Sequence, residues 1–440
     1  MLRHFNLAER GSTPAAEVRG AIATFLTMAY ILFANPGILS AAGVPFAPAA
    51  AATAAAAAIC SILMGVVANF PIALASGMGL NAVIAYQVAP VAGSWQVAMG
   101  IVVLDGVLAF VLVMFGLREA VMEAIPRDLR RAIGVGIGLF IAFIGLVNAK
   151  LVVVPPGTLT TLATNPVAVM PPVTHGSLRT PEAAVALVGL LITAVLIARR
   201  VTGAIVIGIL VSTVLALTMG VTALPKAEWV SVPSFATVGQ ADVMGAIRSS
   251  ALPLLLPVLL VDFFDTIGTV TAIADEAGLD NERGEIPGIR RVLAVDSLSA
   301  AIGGFFGASS VTSYVESAAG VAEGARTGLH SVVVGLLFAT ALFLTPLFSI
   351  VPPAATAPAL ITVGFLMCQQ ITRIDFEDLE IALPAFVLLA TIPFTYSISH
   401  GIGYGFITFV AIKLLSRKWR SVHPLMYAAA LGFAAYFIFA

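Results

Sequence analysis

Gly307 to Gly320 reads GASSVTSYVESAAG, a stretch that lies inside a hydrophobic region without the character of a membrane helix. Ser309, Ser310, Thr312, Ser313 and Glu316 interrupt its apolar run. Backbone with no water around it must find its hydrogen-bond partners within the protein. A weakly helical, small-residue segment at membrane depth is therefore tolerated only where it is buried or lines a cavity. An acid at the bilayer centre costs roughly 2.5 to 3.5 kcal/mol on insertion scales, which marks Glu316 as a candidate ligand-binding group.

The surroundings of that stretch are lipid. Charged residues make up 10% of the 440-residue chain and mean hydropathy is +1.04, against roughly 25% charge in a soluble domain. The chain therefore reads as a polytopic membrane protein embedded in a lipid bilayer. A net charge of −1 with no block of like charges argues against nucleic acid as a partner. Cys60 and Cys368 both fall in hydrophobic runs, and two isolated thiols make neither a zinc site nor a disulfide framework. The sequence has no GxxxxGK[ST] loop, no HExxH and no paired-cysteine spacing, so neither an ATP motor nor a metalloenzyme is expected and no cofactor or metal is called for. An intramembrane hydrolase built on Asp265 and Glu316 would lack a symmetrical acid dyad, and a channel would show filter loops or rings of like residues. The charged amino terminus, MLRHFNLAERGSTPAAEVRG, leads into a full-length span without an obvious cleavage site and reads as a cytoplasmic end.

Runs of about 20 apolar residues place spans near 18–39, 49–69, 73–91, 96–116, 132–154, 182–198 and 202–220, then near 250–274, 291–308, 311–323, 328–349, 354–370, 378–396 and 400–416. That makes fourteen spans, with Pro424 to Ala440 either a further helix or an interfacial one. With the amino terminus inside, eighteen of the 22 Lys and Arg fall on the cytoplasmic side, and Lys150, Arg179, Lys226 and Arg248 fall outside. Membrane insertion follows this asymmetry. Two longer polar connections, Pro155 to Pro181 and Thr222 to Arg248, lie outside, and the second divides the spans seven and seven. An odd number of spans per half inverts one half relative to the other. Inverted repeats place substrate near the midplane, at discontinuous helices in corresponding positions. The third span contains Ala75-Ser76-Gly77-Met78-Gly79-Leu80-Asn81 and the tenth contains Ser309 to Ala319, the broken members of their halves. The alternative, ordinary small-residue helix contacts, suits the Ala-rich second span and Gly134, Gly136 and Gly138. In the third and tenth spans the small residues come with Asn81 and Glu316.

The eighth span, LLLPVLLVDFFDTIGTVTAIAD, sets Asp262 and Asp265 three apart on one side of a helical turn. Two acids so close in an apolar run imply a polar cavity or a bound proton. Asp265, followed by Thr266 and Gly268, is the better cavity candidate; Asp262 is either a second one or is bonded to a neighbouring helix. Asp296 in the ninth span and Asp105 in the fourth are lone membrane acids, and Asp105 reads as an interhelical hydrogen-bonding residue. No Lys or Arg lies in the middle of a span, so the midplane suits a cation, a proton or a neutral ligand with N–H donors and is hostile to an anion. His4, His175, His330, His400 and His423 fall at span ends or in loops, where solvated or capping roles are expected. Proton coupling is thereby left to Asp265, Glu316, Asp296 and Asp262.

ASGMGLNA around Asn81, VDFFDTIGT around Asp265 and TSYVESAAG around Glu316, with RGAIATFLTMAYILFANPGIL near the amino terminus, together resemble the purine branch of the nucleobase/cation symporters. These are the AzgA-like adenine, guanine and hypoxanthine permeases, and the similarity runs over essentially the whole chain. The resemblance implies fourteen helices as two inverted seven-helix repeats, divided into a core domain and a gate domain. The core would comprise 1–131 (spans 1 to 4) and 249–350 (spans 8 to 11). The gate would comprise 132–248 (spans 5 to 7) and 351–440 (spans 12 to 14 with the C-terminal apolar segment). Short strands within spans 3 and 10 would pair at the substrate site. By the same resemblance Glu316 would hydrogen-bond a purine nucleobase with Asp265 on its other side, and Asn81 would take part in purine recognition. Met78 and Gly79 would line the base with Ser313 of the tenth-span strand nearby, and Asp296 would be linked to transport. Phe263 and Tyr30 either stack on the base or face lipid or core. Also implied are proton symport, an elevator motion, a homodimer and the cytoplasmic membrane. The alternatives are a uracil or xanthine/urate permease of the same fold and, more distantly, a sulfate/bicarbonate-type anion carrier, against which the missing midplane Lys and Arg count. Pro424 to Ala440 does not fit a simple repeat of spans 5 to 7.

Overall fold

The computed structural model describes residues 5–116, 124–155, 157–158, 173–224, 232–279, 286–348 and 350–439, so parts of both long connections and His4 lie outside the described residues. The first span is two helices, α1 (Pro14–Met28) and α2 (Ile31–Ser40), broken at Ala29 and Tyr30. Thr13 caps α1 by accepting from Ala16 N–H, and Pro14 stands in the first turn, where a missing N–H loses no helical bond. The alanine-rich α3 (Phe46–Leu63) ends in a π turn and in left-handed Asn69. Next come β1 (Leu74–Ser76) and α4 (Met78–Val83), which continues through a π turn, Ile84–Val88, into α5 (Ala89–Ala92). The half closes with α6 (Trp95–Met114), α7 (Arg127–Asn148), a hairpin of β2 (Val152–Val153) and β3 (Thr174–His175), α8 (Pro181–Ala198) and α9 (Ala204–Thr218).

The second half opens with short α10 (Val243–Arg248), then α11 (Leu255–Ala277), α12 (Ile289–Phe306), β4 (Val311–Ser313) and α13 (Ser317–Ala322). It continues with α14 (Gly328–Ala341), α15 (Thr345–Phe348), α16 (Pro353–Cys368), α17 (Leu379–Phe394), α18 (Ile398–Leu415) and α19 (Pro424–Phe439). Among the described residues, six helical stretches are by themselves long and apolar enough to cross a membrane. The others are shortened where a strand, a proline or a tight turn interrupts them, as in the third and tenth spans.

The two halves meet at strands. β1 and β4 pair antiparallel with Leu74 opposite Ser313, Ala75 opposite Thr312 and Ser76 opposite Val311. The ladder extends at both ends, through Gly77 N–H to Ser310 O at 2.9 Å and Tyr314 N–H to Ala73 O at 3.0 Å. All six strand residues are buried, so the pairing supplies the backbone partners that lipid cannot. Because the strands are antiparallel, α4 and α13 leave them in opposite directions.

The packing repeats with the same inversion. α6 lies on α12 as α14 lies on α3, and α7 lies on α16. Glycines set the close approaches: a Cβ on Gly335 would meet Ala58 O at 2.6 Å, one on Gly304 would meet Met99 O at 3.0 Å, and one on Gly138 would meet Gly364 O at 2.7 Å. Gly136 likewise packs on Ile392, but Gly134 faces open space and is not a helix contact. The segment ahead of each half forms a strap. Arg10 donates to Asn69 O (2.6 Å) and Arg326 O (3.2 Å), Ser12 to Gly324 O, and fully buried Glu17 accepts from Arg326 N–H (2.9 Å) and His330 N–H (3.1 Å). In the other half Thr237 donates to Phe306 O, Gly239 N–H to Phe305 O, Asp242 N–H to Gln96 O and Ser250 to Val91 O. The C-terminal segment is helical and packs on α18, with Phe437 stacked at 4.8 Å from Tyr404.

Candidate functional site

Glu316 stands at the junction of β4 and α13, half-buried, with the neighbouring Val315 51% exposed. Its Oε1 accepts from Tyr30 Oη at 2.8 Å. Tyr30 comes from the break between α1 and α2 and is 1% exposed. Beside it the Tyr314 hydroxyl donates to Ser76 O at 2.5 Å, tying the end of β4 to β1. Asp265, also half-buried, reaches the same place from α11. Its Oδ2 lies 3.8 Å from where a Cβ on Gly77 would sit, and Asp296 and Glu316 both lie within its electrostatic range. Glu316 and Asp265 are thus brought together at the strand pair.

The other residues read from the sequence divide into those open to the site and those that build it. Asn81 is fully buried one turn into α4; its Nδ2 donates weakly to Ser76 O at 3.4 Å, and its Oδ1 has no hydrogen-bond partner among the described residues. Met78 opens the same helix, and Gly79 is so close to α7 that a Cβ would stand 2.7 Å from Ile137 Cγ2. Ser313 is turned away, donating both its N–H (3.0 Å) and its hydroxyl (2.8 Å) to Asp296 Oδ1. Asp296 also accepts from Thr266 Oγ1 at 2.6 Å and more distantly from Thr312 Oγ1 at 3.5 Å, so it clamps β4 between α11 and α12. Asp262, fully buried, accepts from Ser310 Oγ at 3.5 Å, just ahead of β4. Asp105 is fully buried in α6.

One expectation needs correction, and two open alternatives can be placed. His330 is no solvated or capping residue: it is fully buried, with Nε2 2.8 Å from Thr24 Oγ1, because Gly20 and Gly320 let α1 and α13 close around it. Phe263 packs with Ala109 and Leu259 on the α6 side rather than at the acids. Tyr30 meets the site through its hydroxyl, its ring being buried in the main apolar cluster. Sequence reasoning missed the role of Tyr314, although it stands two residues before Glu316, and the burial of Glu17, which looked like one more terminal charge.

Aromatic rings gather on the side toward which α4 runs. Tyr86 meets Tyr396 at a ring separation of 5.5 Å, Tyr396 meets Phe140 at 5.0 Å and Phe143 at 6.0 Å, and Ser397 Oγ donates to Gln87 Oε1 at 3.2 Å. Tyr396 adopts φ +53°, an uncommon conformation for a bulky residue. A groove of about 1020 Å³ lies elsewhere, between the start of α11 and Gly432–Ala435 of α19. Its lining is leucine-rich and contains none of these acids, so its size does not make it the functional site. Among the described residues no group of His, Cys, Asp and Glu is arranged to hold a metal ion.

Two inverted halves joined at paired mid-span strands, with carboxyls gathered beside the strands, define a multi-pass membrane transporter. Residues 15–403 match the xanthine/uracil-type family described as a permease family, and the chain belongs to it. Guanine/hypoxanthine permease PbuG of Bacillus subtilis is 40% identical over 452 residues, covering 100% of both chains. Adenine permease AdeP of Escherichia coli is 38% identical over 445 residues, covering 99% of this chain and 96% of its own. Among solved structures, the transmembrane domain of a cyanobacterial bicarbonate transporter, BicA, superposes with a TM-score of 0.63 over 89% of this chain and 97% of its own, at 14% identity. That likeness is one of fold.

Proposed function

We propose that the protein imports purine nucleobases (adenine, guanine or hypoxanthine) across the cytoplasmic membrane, driven by protons. The observation that carries the reading is the pair of half-buried carboxyls, Glu316 and Asp265, at paired strands in a midplane without Lys or Arg. A carboxylate accepts two parallel bonds from adjacent N–H groups of a base. The Oδ1 of Asn81, without a partner among the described residues, is a further acceptor, Met78 supplies apolar contact, and Gly79 lets α4 approach α7. Ser313 contributes through the strand it anchors. The names of the two bacterial relatives, adenine and guanine/hypoxanthine permeases, point to the same substrate class.

Of the four acids, Asp265 and Glu316 are the better proton carriers, being the two that are partly accessible. Asp296 and Asp262 are engaged in holding β4 and the residues before it. An elevator motion is supported by the packing: spans 5 to 7 and 12 to 14 contact chiefly one another, as do spans 1 to 4 and 8 to 11, matching a gate and a core. The Lys and Arg distribution supports a cytoplasmic amino terminus.

The test is a thermal-shift panel of free bases on purified protein, followed by uptake into proteoliposomes. Stabilisation by purines, with uptake that follows an inward proton gradient and ignores sodium, is expected. Stabilisation by uracil or xanthine alone, chloride or sulfate transport without purine uptake, or a strict sodium requirement would overturn the respective parts of the reading.

A further inference from the structure

Tyr30 is tied to Glu316 in a way that ordinary core packing does not require. Its ring is enclosed at the interruption of the first span, and a phenylalanine would fill the same volume. Only the hydroxyl leaves that apolar setting, and it ends 2.8 Å from Glu316 Oε1. The adjacent Tyr314 is not equivalent, because its hydroxyl is given to Ser76 O. Tyr30 therefore contacts the acid side chain from one direction while the acid's backbone is fixed by α13, whose first residue, Ser317, accepts from Ala73 N–H through Oγ at 3.0 Å.

We propose that Tyr30 is a specificity-determining residue: its hydroxyl holds the Glu316 carboxylate at an angle that presents two adjacent acceptors to a base edge bearing two adjacent N–H donors. The assignment rests on the purine reading above. A carboxylate has about four lone-pair positions on two oxygens. Tyr30 takes one on Oε1, which leaves a second on that oxygen and both on Oε2. A free carboxyl would swing between rotamers and accept a single N–H as readily as a pair. The fixed one rewards the pair, as on guanine, where N1–H and the 2-amino group lie side by side. Adenine offers the same pattern as its N7–H tautomer, with the 6-amino group. Unsubstituted purine, with one N–H and no amino group, gains little from the orientation.

The experiment compares binding of guanine, adenine and unsubstituted purine to the purified full-length chain and to Tyr30→Phe, which keeps the ring. Loss of a hydrogen bond to a charged group weakens an interaction by roughly ten- to a hundred-fold, so affinity for the preferred amino-bearing base is expected to fall by that factor. Affinity for unsubstituted purine should change by less than about threefold, collapsing the discrimination between them. Unchanged affinity for the amino-bearing bases in Tyr30→Phe, or a fall by the same factor for every base, overturns the assignment and leaves the purine reading standing. Wild-type protein that binds no nucleobase overturns both.

Discussion

Replacing Asp296 distinguishes an acid that positions the site from one that would carry the proton of the proposed symport. The side chain is fully buried in α12 and accepts from the Ser313 amide, the Ser313 hydroxyl and the Thr266 hydroxyl, all within 3.0 Å. Asp296→Ala strands these donors. A buried donor without a partner costs about 1 to 3 kcal/mol; the amide cannot turn away, whereas Thr266 can rotate its hydroxyl toward Thr312 Oγ1, 3.1 Å distant. The net loss is therefore on the order of 3 to 6 kcal/mol, a large part of a typical stability of about 5 to 15 kcal/mol. Asp296→Asn keeps an acceptor for Ser313 and loses mainly the Thr266 bond, a cost of about 1 to 2 kcal/mol. Thermal unfolding of detergent-purified protein, with purine binding measured well below the midpoint, should show a large drop in midpoint for Ala, a small one for Asn, and binding within about threefold of wild type for Asn. An unchanged midpoint in Asp296→Ala would show that the clamp contributes nothing. Asp296→Asn with wild-type stability and affinity but no gradient-driven uptake would make Asp296 the coupling acid and refute the positioning role.

Glu316→Ala should abolish purine binding while leaving a folded, inserted protein, and undiminished hypoxanthine affinity in a binding assay would exclude its role. Gln87→Cys with Ser397→Cys, in a background with Cys60 and Cys368 replaced by alanine, should form a disulfide on oxidation that stops uptake reversibly, because the Ser397–Gln87 contact has to open for the site to reach the other side. Uptake unaffected by a verified cross-link would show that this side never opens there. Gly138→Ala should destabilise by about 1 to 3 kcal/mol through overpacking against Gly364, whereas Gly134→Ala, facing open space, should be neutral or gain up to about 1 kcal/mol of helix propensity. Thermal midpoints of the two variants check the contrast.

The broken spans were legible because their signal is local. Small residues, hydroxyls and an acid inside an apolar run, as in Ser309 to Ala319, conflict with a continuous lipid-facing helix, and the structure has strands there. The pairing of Asp265 with Glu316 was implied by the family resemblance of their motifs rather than by their positions in the chain. What the sequence did not disclose depends on orientation within a helix. Ser313 and Ser309 look alike in the chain, but only the pleat and register of β4 direct the Ser313 hydroxyl to Asp296. His330 was misread because hydropathy places it at a span end, and only the approach of Gly20 to Gly320 shows that this end is sealed. Glu17 hides for the same reason: an acid near a charged terminus carries no mark of the two backbone amides awaiting it 300 residues later.

The partition of hydrogen bonds bears on how such a site could move. Tyr30 to Glu316, Tyr314 to Ser76, Ser76 to Ala308, and Thr266 and Ser313 to Asp296 all run between spans 1, 3, 8, 9 and 10. The two straps fasten further parts of that same set, at Asn69 and Arg326 on one side and at Gln96 and Phe306 on the other. Toward spans 5 and 12 to 14 the contacts near the site are of another kind: Gly79 against Ile137, three ring edges on Tyr396 and the Ser397–Gln87 bond. A motion that split the strand pair would break many buried hydrogen bonds, each leaving donors or acceptors at a cost of about 1 to 3 kcal/mol. Sliding the strand-bearing body past spans 5 and 12 to 14 trades mostly apolar contacts for others like them and breaks far fewer polar ones. That difference favours moving the acids and the strands as one unit, the displacement that the proposed elevator motion requires.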